Sequence, residues 1–322
     1  MKILGMGNAL TDLLIKANDD SLLQSHNLPK GSMQLVDFDK ASAVLSSATE
    51  LPTSKASGGS AANTIHGLSK LGLETAFFGK VGQDDTGHFF HNDLLSNGIE
   101  SKLMFSESRS GMAVAIVTPD AERTFATYLG AAVELSPDDL TPELFANYDI
   151  FYIEGYLVQN HQLIKRAVDL ASQAGCKVCL DLAAYNVVES NLEFLKSILN
   201  QVDILFANEE EARAFTGKEP EQALEELGQT VSLTIVKTGK NGSLVKTGGK
   251  VYSAGIIQAN SIDTTGAGDL YAAGFLYGLT KGLSPEHCAR IGSIVAGNVI
   301  EVVGAKMDND RWQKIYEMIN QI

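Results

Sequence analysis

The sequence predicts an α/β protein with a doubly wound, mainly parallel sheet flanked by helices, and with a small β lid. From about residue 148 short apolar strands alternate with amphipathic helices, and the chain opens with a further apolar strand at Lys2–Met6. Strands separated by helices are typical of parallel sheets. Residues 101–129 instead alternate and are rich in β-forming side chains, which predicts a hairpin inserted into the β–α series.

The chain length predicts one large domain. A chain of 322 residues fits a single α/β domain with a small addition, and no repeat or interdomain linker is visible. We therefore expect one domain over residues 1–322, with a discontinuous lid drawn from about 13–17, 30–37 and 101–129.

The first half of the chain supplies strands, glycine-rich turns and the hairpin. Between the opening strand and the hairpin we predict strands at 30–37 and 75–81 and helices at 64–71 and 88–97. The hairpin strands are 112–117 and 123–128, separated by the turn 118–122. Ile15, Met33 and Leu35 are candidates for the same sheet.

The second half carries the regular β–α alternation. Its predicted strands are 150–153, 178–182, 204–207 and 233–237. Its predicted helices are 162–174, 192–200, 221–227, a helix that follows Asp269, and two more near 285–301 and 310–321.

Composition excludes several classes of function. A net charge of −14 argues against nucleic acid as a partner, because a phosphate backbone requires basic surface. No apolar run is long enough for a transmembrane helix, and the N-terminus has no signal-peptide pattern. Three cysteines form no disulfide framework, so we expect a cytoplasmic protein without a membrane partner. Cys176 and Cys179 are predicted to pack in the core.

Residues 263–269 (DTTGAGD) predict an anion site. Gly266 and Gly268 let the backbone turn sharply, and a helix start adds unpaired N–H groups and a positive dipole end. A carboxylate inside such a site competes with the anion, unless Asp269 takes a proton from a hydroxyl that attacks a bound phosphate. The alternative is that Asp269 only caps the helix.

Other polar and glycine-rich clusters follow predicted strands or precede helices. They are Asn8 with Asp12, residues 58–63 (GGSAAN), 208–211 (NEEE) and 238–242 (TGKNG). A parallel sheet brings such positions to one edge. The chain contains no GxxxxGK[ST], HExxH or GxSxG motif, and the dinucleotide fingerprint at Gly5-x-Gly7 lacks its third glycine, which excludes a Rossmann oxidoreductase.

Together these motifs resemble the PfkB carbohydrate kinases, the ribokinase and adenosine kinase family, over essentially the whole chain. Residues 263–269 resemble the C-terminal signature, 58–63 the N-terminal one, and 208–211 the family's Asn-x-x-Glu motif. The resemblance implies a ribokinase-like fold and phosphoryl transfer to an alcohol group.

The resemblance also implies a role for each matching residue. Asp269 is then the catalytic base, and Gly266, Ala267 and Gly268 form the anion hole. The acceptor would be held by Asn8, Asp12, Gly58, Gly59 and Asn63. Arg123 from the hairpin would neutralise phosphate charge when the lid closes.

ATP and Mg²⁺ are the implied cosubstrate and metal. The nucleotide would be bound by Asn208, Thr238, Gly239, Gly242 and Asn298, and Glu211 would hold Mg²⁺ through water. The family often binds K⁺ beside the anion hole, which makes the backbone of Asp263 and Thr265, with residues 303–305, a candidate K⁺ site. The alternative is that Gly304 only ends the preceding helix.

The acceptor is not fixed by these motifs. Residues 5–12 and 118–124 resemble adenosine kinase more than ribokinase, which favours the 5′-hydroxyl of an adenosine-like ribonucleoside. A ribokinase- or fructokinase-like sugar kinase is the alternative, and a non-catalytic nucleoside-binding protein is disfavoured by Asp269. Met33 and Leu35 would line a base pocket or belong to the core. A monomer and a homodimer both remain open.

Overall fold

The computed structural model describes residues 1–120 and 122–322. Its strands are β1 (Lys2–Met6), β2 (Leu10–Lys16), β3 (Met33–Leu35), β4 (Thr53–Gly58), β5 (Glu74–Phe78), β6 (Lys80–Gly82), β7 (Ile99–Ser101), β8 (Met104–Ser106), β9 (Gly111–Val117), β10 (Arg123–Tyr128), β11 (Ile150–Glu154), β12 (Lys177–Asp181), β13 (Ile204–Asn208), β14 (Leu233–Lys237), β15 (Ser243–Thr247) and β16 (Lys250–Ala254).

Helices connect most of these strands. The α-helices are α1 (Ser21–Ser25), α2 (Phe38–Ser46), α3 (Ser60–Lys70), α4 (Asp85–Ser96), α5 (Pro142–Phe145), α6 (His161–Gln173), α7 (Tyr185–Ser190), α8 (Leu192–Ile198), α9 (Glu209–Thr216), α10 (Pro220–Leu227), α11 (Ala267–Thr280), α12 (Pro285–Val299) and α13 (Asn309–Ile319). Short 3-10 helices lie at Gly130–Glu134, Pro137–Asp139, Gly155–Gln159, Leu199–Gln201 and Gly239–Asn241.

The main sheet has nine strands in the order β7-β5-β1-β11-β12-β13-β14-β15-β16. It is parallel from β7 to β14 and antiparallel across β15 and β16. Both faces are covered: Leu4 and Phe151 belong to one apolar core cluster, and Ile3 and Tyr152 to another. Strands buried on both faces are apolar throughout, which is why their sequence shows runs and not alternation. The predicted fold class is confirmed.

β1 lies at a switch point of this sheet. Its neighbours are β5 on one side and β11 on the other, although both follow it in the chain. Connections then leave β1 toward opposite halves of the sheet, and the carboxyl ends of the strands at such a point border a crevice. Asn8 lies two residues after the end of β1 and lines this crevice.

The second sheet is the lid, with five strands in the order β3-β10-β9-β2-β4. Along β9, Met112, Val114 and Ile116 point into a small core that is completed by Leu22 of α1 and Val44 of α2. The alternate residues point to the opposite face because side chains alternate along a strand. The lid sheet therefore has one face on its own helices and one face free for a ligand.

The lid differs from the sequence prediction in three places. The edge strand β4 was missed, because its residues (TSKASG) include Lys, Ser and Gly, which are poor β formers. The strand predicted at 30–37 covers only Met33–Leu35 in the structure. Residues 101–110 lie outside the lid sheet, and β8 pairs with β6 instead. Within the predicted turn 118–122, Ala121 lies outside the described residues.

The main sheet also departs from prediction. The predicted strand 75–81 divides at Gly79 into β5 and β6, which belong to different sheets. The β15–β16 hairpin was missed, although its turn residues Gly248 and Gly249 have positive φ angles of 55° and 73°, a glycine-specific signal. The helix predicted at 64–71 begins earlier, at Ser60.

The cysteines pack in the core as predicted. Cys176 belongs to one core cluster and Cys179 to the other, and both are buried and free. Among the described helices, none combines the length and the apolar character needed to cross a lipid bilayer.

Candidate active site

A cavity of about 1690 Å³ lies between the carboxyl edge of the main sheet and the free face of the lid. Strand ends Glu154, Asp181 and Lys237 border it from below, and Asp12 and Phe125 border it from the lid. Pockets for one small molecule usually measure about 300–1000 Å³. The cavity is therefore large enough for two substrates side by side.

The residues of the predicted anion site border this cavity. Helix α11 begins at Ala267, and Gly266 before it has a φ of 74°. A side chain at Gly266 would also bring its Cβ within 2.6 Å of the Ala305 Cβ, so both conformation and space require glycine. Gly266, Ala267 and Gly268 all line the cavity. The Ala267 N–H donates to the Thr264 carbonyl at 3.1 Å. The other N–H groups of this first turn have no intrahelical acceptor and are available to an anion.

Asp269 lies in the same turn, and its carboxylate is held by helix α3. Oδ1 accepts a hydrogen bond from Ser60 Oγ at 2.7 Å, and Oδ2 accepts one from Asn63 Nδ2 at 3.0 Å. Gly266 occupies the N-cap position, and no side-chain capping hydrogen bond is present at this end of α11. Burial raises the pKa of Asp269, and the bonds from Ser60 and Asn63 oppose that rise. The carboxylate is thus oriented toward the cavity, and it does not cap its helix.

Asp12 lies on the lid side of the same cavity. Gly58 stands beside it on β4, and a Cβ at Gly58 would overlap the Asp12 carboxyl group. Within the described part of the chain, no group donates a hydrogen bond to the Asp12 carboxylate. Burial raises the pKa of Asp12 to about 7, with Lys306 and Arg123 opposing and Asp269 adding to the rise. Asp12 therefore has its acceptor capacity free for hydroxyl groups of a ligand.

Asn8, Gly59 and Asn63 also line this region. Gly59 has a φ of 92°, and a Cβ there would overlap the carbonyl oxygen of Asn8. Asn8 donates from both its backbone N and its Nδ2 to Glu154 Oε1, each at 2.8 Å. Gly59 thus needs to be glycine for the chain to pass Asn8, and Asn8 is fixed by Glu154.

Sequence reasoning missed Glu154, Asp181, Lys237 and Ser60. The first three are the last residues of strands β11, β12 and β14. A charged residue that ends an otherwise apolar parallel strand is the signal that would have found them, since such ends border the ligand crevice. Glu154 is fully buried; besides binding Asn8 it accepts the Ala61 N–H at 2.9 Å, and burial raises its pKa to about 7.

The Asn-x-x-Glu motif forms the start of helix α9. Asn208 Oδ1 accepts the Glu211 N–H at 2.8 Å, and the Glu211 carboxylate accepts from Asn208 N and Nδ2, each at 2.7 Å. This reciprocal capping box fixes both side chains at the cavity. Burial raises the pKa of Glu211, with Asp181 adding to the rise and Lys237 opposing it.

The turn 238–242 follows β14 and borders the cavity. Gly239 and Gly242 line the cavity, whereas Thr238 is not among its lining residues. The Thr238 N–H instead donates to the Gly242 carbonyl at 2.8 Å and so closes the turn. Gly242 has a φ of 92°, which an L side chain rarely adopts.

Asn298, expected to contact the nucleotide base, does not line the cavity. Helix α12 lines the cavity with Ser293, Ala296, Gly297 and Ile300, whose spacing of i, i+3, i+4 and i+7 defines one helix face. Asn298 lies outside that face and is 1% exposed. Its Nδ2 donates to the Ile294 carbonyl at 2.9 Å in the same helix. The expected contact with the base is therefore absent in this arrangement, because the helix phase turns Asn298 into the core.

Arg123 and Asp263 lie just outside the cavity lining and join three segments. Arg123 forms an ion pair with Asp263 Oδ2 at 2.7 Å and donates to Thr265 Oγ1 at 2.7 Å. Asp263 also accepts the Thr265 N–H at 3.0 Å and the Gly304 N–H at 2.6 Å. These contacts connect the lid strand β10 with residues 263–268, here called the anion loop, and with residues 303–305, which follow α12. Arg123 is committed to this network in the structure, and its expected role toward phosphate on lid closure stays a prediction.

The network brings residues 303–305 beside Asp263, as the candidate K⁺ site requires. Gly304 has a φ of 83° and lies beyond the end of α12, so it does not terminate that helix. The Asp263 carboxylate is already neutralised by Arg123. A K⁺ ion here would bind through backbone carbonyls, and the site stays a prediction.

We expect Arg123→Met to lower kcat/KM by about 10–100-fold, because the anion loop loses a charge-assisted bond worth about 1.5–3 kcal/mol. Asp263→Asn is the matched change on the other side. If the two residues act as a pair, the double variant should lose little more than either single variant. Steady-state rates of the four proteins test this, and fully additive losses would contradict it.

The same assay tests whether the activity depends on K⁺. Replacing K⁺ by Na⁺ or tetramethylammonium at fixed ionic strength should change the wild-type rate less than Arg123→Met does, because Arg123 already supplies the positive charge that orders the loop. A larger loss on removing K⁺ would mean that a bound ion, and not Arg123, orders it.

Comparisons with known proteins identify the family of the chain. Residues 32–312 match the family model described as "pfkB family carbohydrate kinase". The crystal structure of adenosine kinase from Sinorhizobium meliloti has 34% sequence identity and a TM-score of 0.86, with 98% of this chain and 99% of that chain covered. A probable sugar kinase from Rhizobium etli CFN 42 has 32% identity and a TM-score of 0.88, with 98% of each chain covered.

A third relative is named for a different acceptor. The probable fructokinase-5 of Arabidopsis thaliana is 30% identical over 77% of this chain and 81% of its own length. The names of the relatives thus divide between nucleoside and sugar acceptors, while agreeing on the reaction. The chain belongs to the pfkB family of carbohydrate kinases and is a phosphotransferase.

Proposed function

We propose that this kinase transfers a phosphoryl group from ATP to the 5′-hydroxyl of an adenosine-like ribonucleoside, with Asp269 as the base. The observation that carries the proposal is an apolar surface continuous with Asp12. Asp12 pairs with Ala113, Ala113 with Thr127, and Thr127 with Leu35, so these residues form one row across four lid strands. Neighbouring strands lie about 4.8 Å apart, which extends the row roughly 14 Å from Asp12.

The row is flanked by further apolar side chains. Phe125 pairs with Met33 in the adjacent row, and both line the cavity together with Leu10, Leu129, Val133, Leu135, Tyr156 and Leu157. Met33 and Leu35 are 55% and 63% exposed, so they are not core residues. A hexose bound through Asp12 would leave this apolar surface in water. A ribonucleoside would place its ribose at Asp12 and its flat base on the surface.

The charges of the cavity also favour a neutral acceptor. Among the described lining residues the only lysines or arginines are Lys237 and Lys240. Both belong to the part of the cavity that we assign to ATP, here called the nucleotide half. A phosphorylated sugar would need a cation at the acceptor end, because a buried phosphate without one is strongly destabilised. The lining therefore supports a nucleoside over a sugar phosphate.

The nucleotide half fits ATP. The cavity face of α12 and the segment 256–261 form an apolar slot, and Gly297 is small because a Cβ there would overlap Ile257. The slot leads past Gly242 and Gly239 to the anion loop. We infer that adenine occupies the slot and that the phosphates extend toward Gly268.

The same half fits Mg²⁺ carried on the phosphates. In the part of the chain that is described, no group of three or more His, Cys, Asp or Glu side chains could hold a metal by itself. Seven carboxylates line the cavity among the described residues, from Asp12, Glu154, Asp181, Glu209, Glu210, Glu211 and Asp269. Mg²⁺ is usually bound by one or two carboxylates together with waters and substrate phosphates. Glu211, through water, is the proposed protein contact, and the ion would neutralise phosphate charge.

Each step of the reaction then has a residue in place. Asp12 accepts hydrogen bonds from ribose hydroxyls and fixes the sugar. Asp269, positioned by Ser60 and Asn63, takes the proton of the 5′-hydroxyl as its oxygen attacks the γ-phosphorus. The N–H groups at Gly266 and Gly268 receive the charge on the transferring group, while the Ala267 N–H holds the turn through the Thr264 carbonyl, and ADP leaves.

A steady-state ADP-release assay across nucleosides and sugars tests the proposal. Adenosine is expected to give the highest kcat/KM, and 5′-deoxyadenosine, which lacks the acceptor hydroxyl, should inhibit without turnover. The second candidate, a fructokinase-like activity, is favoured by the relative of that name. A higher kcat/KM for fructose or ribose than for any nucleoside would establish it and overturn the nucleoside proposal.

We also expect kcat/KM for the acceptor to fall as the pH falls through about 7. Burial raises the pKa of Asp12 to about 7 and raises the pKa of Asp269. A carboxyl group with a raised pKa is ionised above that pKa and protonated below it, so acid removes both the hydroxyl acceptor and the base. An ordinary aspartate would lose its charge only near pH 3.9. The pH–rate profiles of wild type and Asp12→Asn test this, and a flat wild-type profile through neutrality would contradict it.

A further inference from the structure

Lys237 is a largely buried cation beside the anion loop. It is the last residue of β14, it lines the cavity, and its side chain is 15% exposed. Its Nζ lies 3.1 Å from Asp181 Oδ2 and 3.3 Å from the position that a Cβ on Gly268 would occupy. The ammonium group is therefore next to the first turn of α11, where the transferring phosphoryl group is expected.

Lys237 keeps its positive charge in this position. Burial lowers its pKa, but the carboxylates of Asp181 and Glu211 outweigh burial, so the pKa is raised overall. Asp181 also accepts the Ala183 N–H at 3.2 Å and lies 3.3 Å from the Tyr152 hydroxyl. The carboxylate that holds Lys237 is thus itself fixed, and the ammonium has a defined place.

Two of the other cations near the site are committed elsewhere or exposed, and the third, Lys306, has a buried Nζ without a hydrogen-bond partner among the described residues. Arg123 is paired with Asp263, and Lys240, the second lysine in the lining, is exposed in the turn after β14. Lys306 is not among the lining residues. Among the described lining residues, Lys237 is then the one largely buried cation, and it lies beside the first turn of α11.

We propose that Lys237 is a further catalytic residue, which stabilises the negative charge of the transferring phosphoryl group, and that Asp181 is its positioning residue. The γ-phosphoryl group passes from the bridging oxygen of ATP to the acceptor oxygen, the acceptor proton goes to Asp269, and Lys237 keeps all its protons. A preorganised cation in a site sheltered from water stabilises such charge without reorganisation during the reaction. Phosphoryl transfer depends mainly on this kind of stabilisation.

Lys237→Met, Lys237→Arg and the control Lys250→Met, an exposed lysine of β16, test the proposal. Lys237→Met should lower kcat by about 10²–10³-fold, the usual loss for one charge-stabilising donor. Its Kd for ADP should change by less than about three-fold, because ADP lacks the γ-phosphoryl group. Binding of ADP with aluminium fluoride and acceptor, an analogue of the transfer step, should be lost. Lys237→Arg should recover part of the rate, and Lys250→Met should resemble wild type.

The double variant Lys237→Met/Asp181→Asn separates catalysis from charge balance. If Lys237 only neutralises buried Asp181, removing both charges should restore kcat, and that result would overturn the proposal. A kcat for Lys237→Met within a few-fold of wild type, or retained binding of the analogue, would also overturn it. The acceptor in every assay is whichever compound turns over fastest. A preference for sugars would therefore contradict the nucleoside proposal while leaving the test of Lys237 intact.

Discussion

Asp269→Asn is expected to lower kcat by about 10²–10⁴-fold while leaving nucleoside and ATP binding largely intact, the usual effect of removing a general base. The asparagine side chain has nearly the same shape and can keep one hydrogen bond with Ser60 or Asn63. It cannot take the proton from the attacking hydroxyl. The loss should therefore appear in the chemical step and not in the two KM values.

Single-turnover rates together with Kd values for both substrates measure this separation. Ser60→Ala is the matched control, because it removes one of the hydrogen bonds that orient Asp269 and leaves the carboxylate in place. Its loss should be clearly smaller than that of Asp269→Asn. Turnover of Asp269→Asn within a few-fold of wild type would show that Asp269 is not the base.

Asp12→Ala is expected to raise the acceptor KM and to lower kcat/KM for the acceptor by about 10²–10⁴-fold, since two charge-assisted hydrogen bonds are each worth about 1.5–3 kcal/mol. The KM for ATP should change little, because Asp12 lies on the lid and the nucleotide half lies across the anion loop. The carboxylate has no hydrogen-bond donor among the described residues, so its removal breaks no internal contact.

Thermal unfolding of Asp12→Ala provides the structural control. A buried carboxyl whose pKa is raised by burial is less costly when protonated, so removing it should not destabilise the lid. Equal increases in the KM of acceptor and of ATP, or a marked drop in Tm, would show that Asp12 has a structural role instead.

Local sequence patterns were sufficient to predict much of the fold and the glycine-rich turn that begins α11. The glycines and Asp269 lie within one stretch, and apolar strands buried on both faces are visible as runs. Asp181 and Lys237 could not be paired in this way, because 56 positions separate them in the chain and the sheet brings them together. The prediction that Asn298 contacts the base failed for a related reason. The side of α12 that faces the cavity is set by how the helix packs, and the sequence alone does not give that orientation. The strand β4 has too few β-forming residues to be recognised before its partner β2 is known.

The most direct test of the account compares adenosine with methyl β-D-ribofuranoside as acceptors in one assay. Both offer the same 5′-hydroxyl and the same ribose hydroxyls to Asp12 and Asp269, and only adenosine offers a base to the apolar surface formed by Met33, Leu35 and Phe125. Burying roughly 100–150 Å² of base at 25 cal/mol/Å² is worth about 2.5–4 kcal/mol, so adenosine should have a kcat/KM at least about 10²-fold higher. Equal values would show that no base is bound there and would contradict the account.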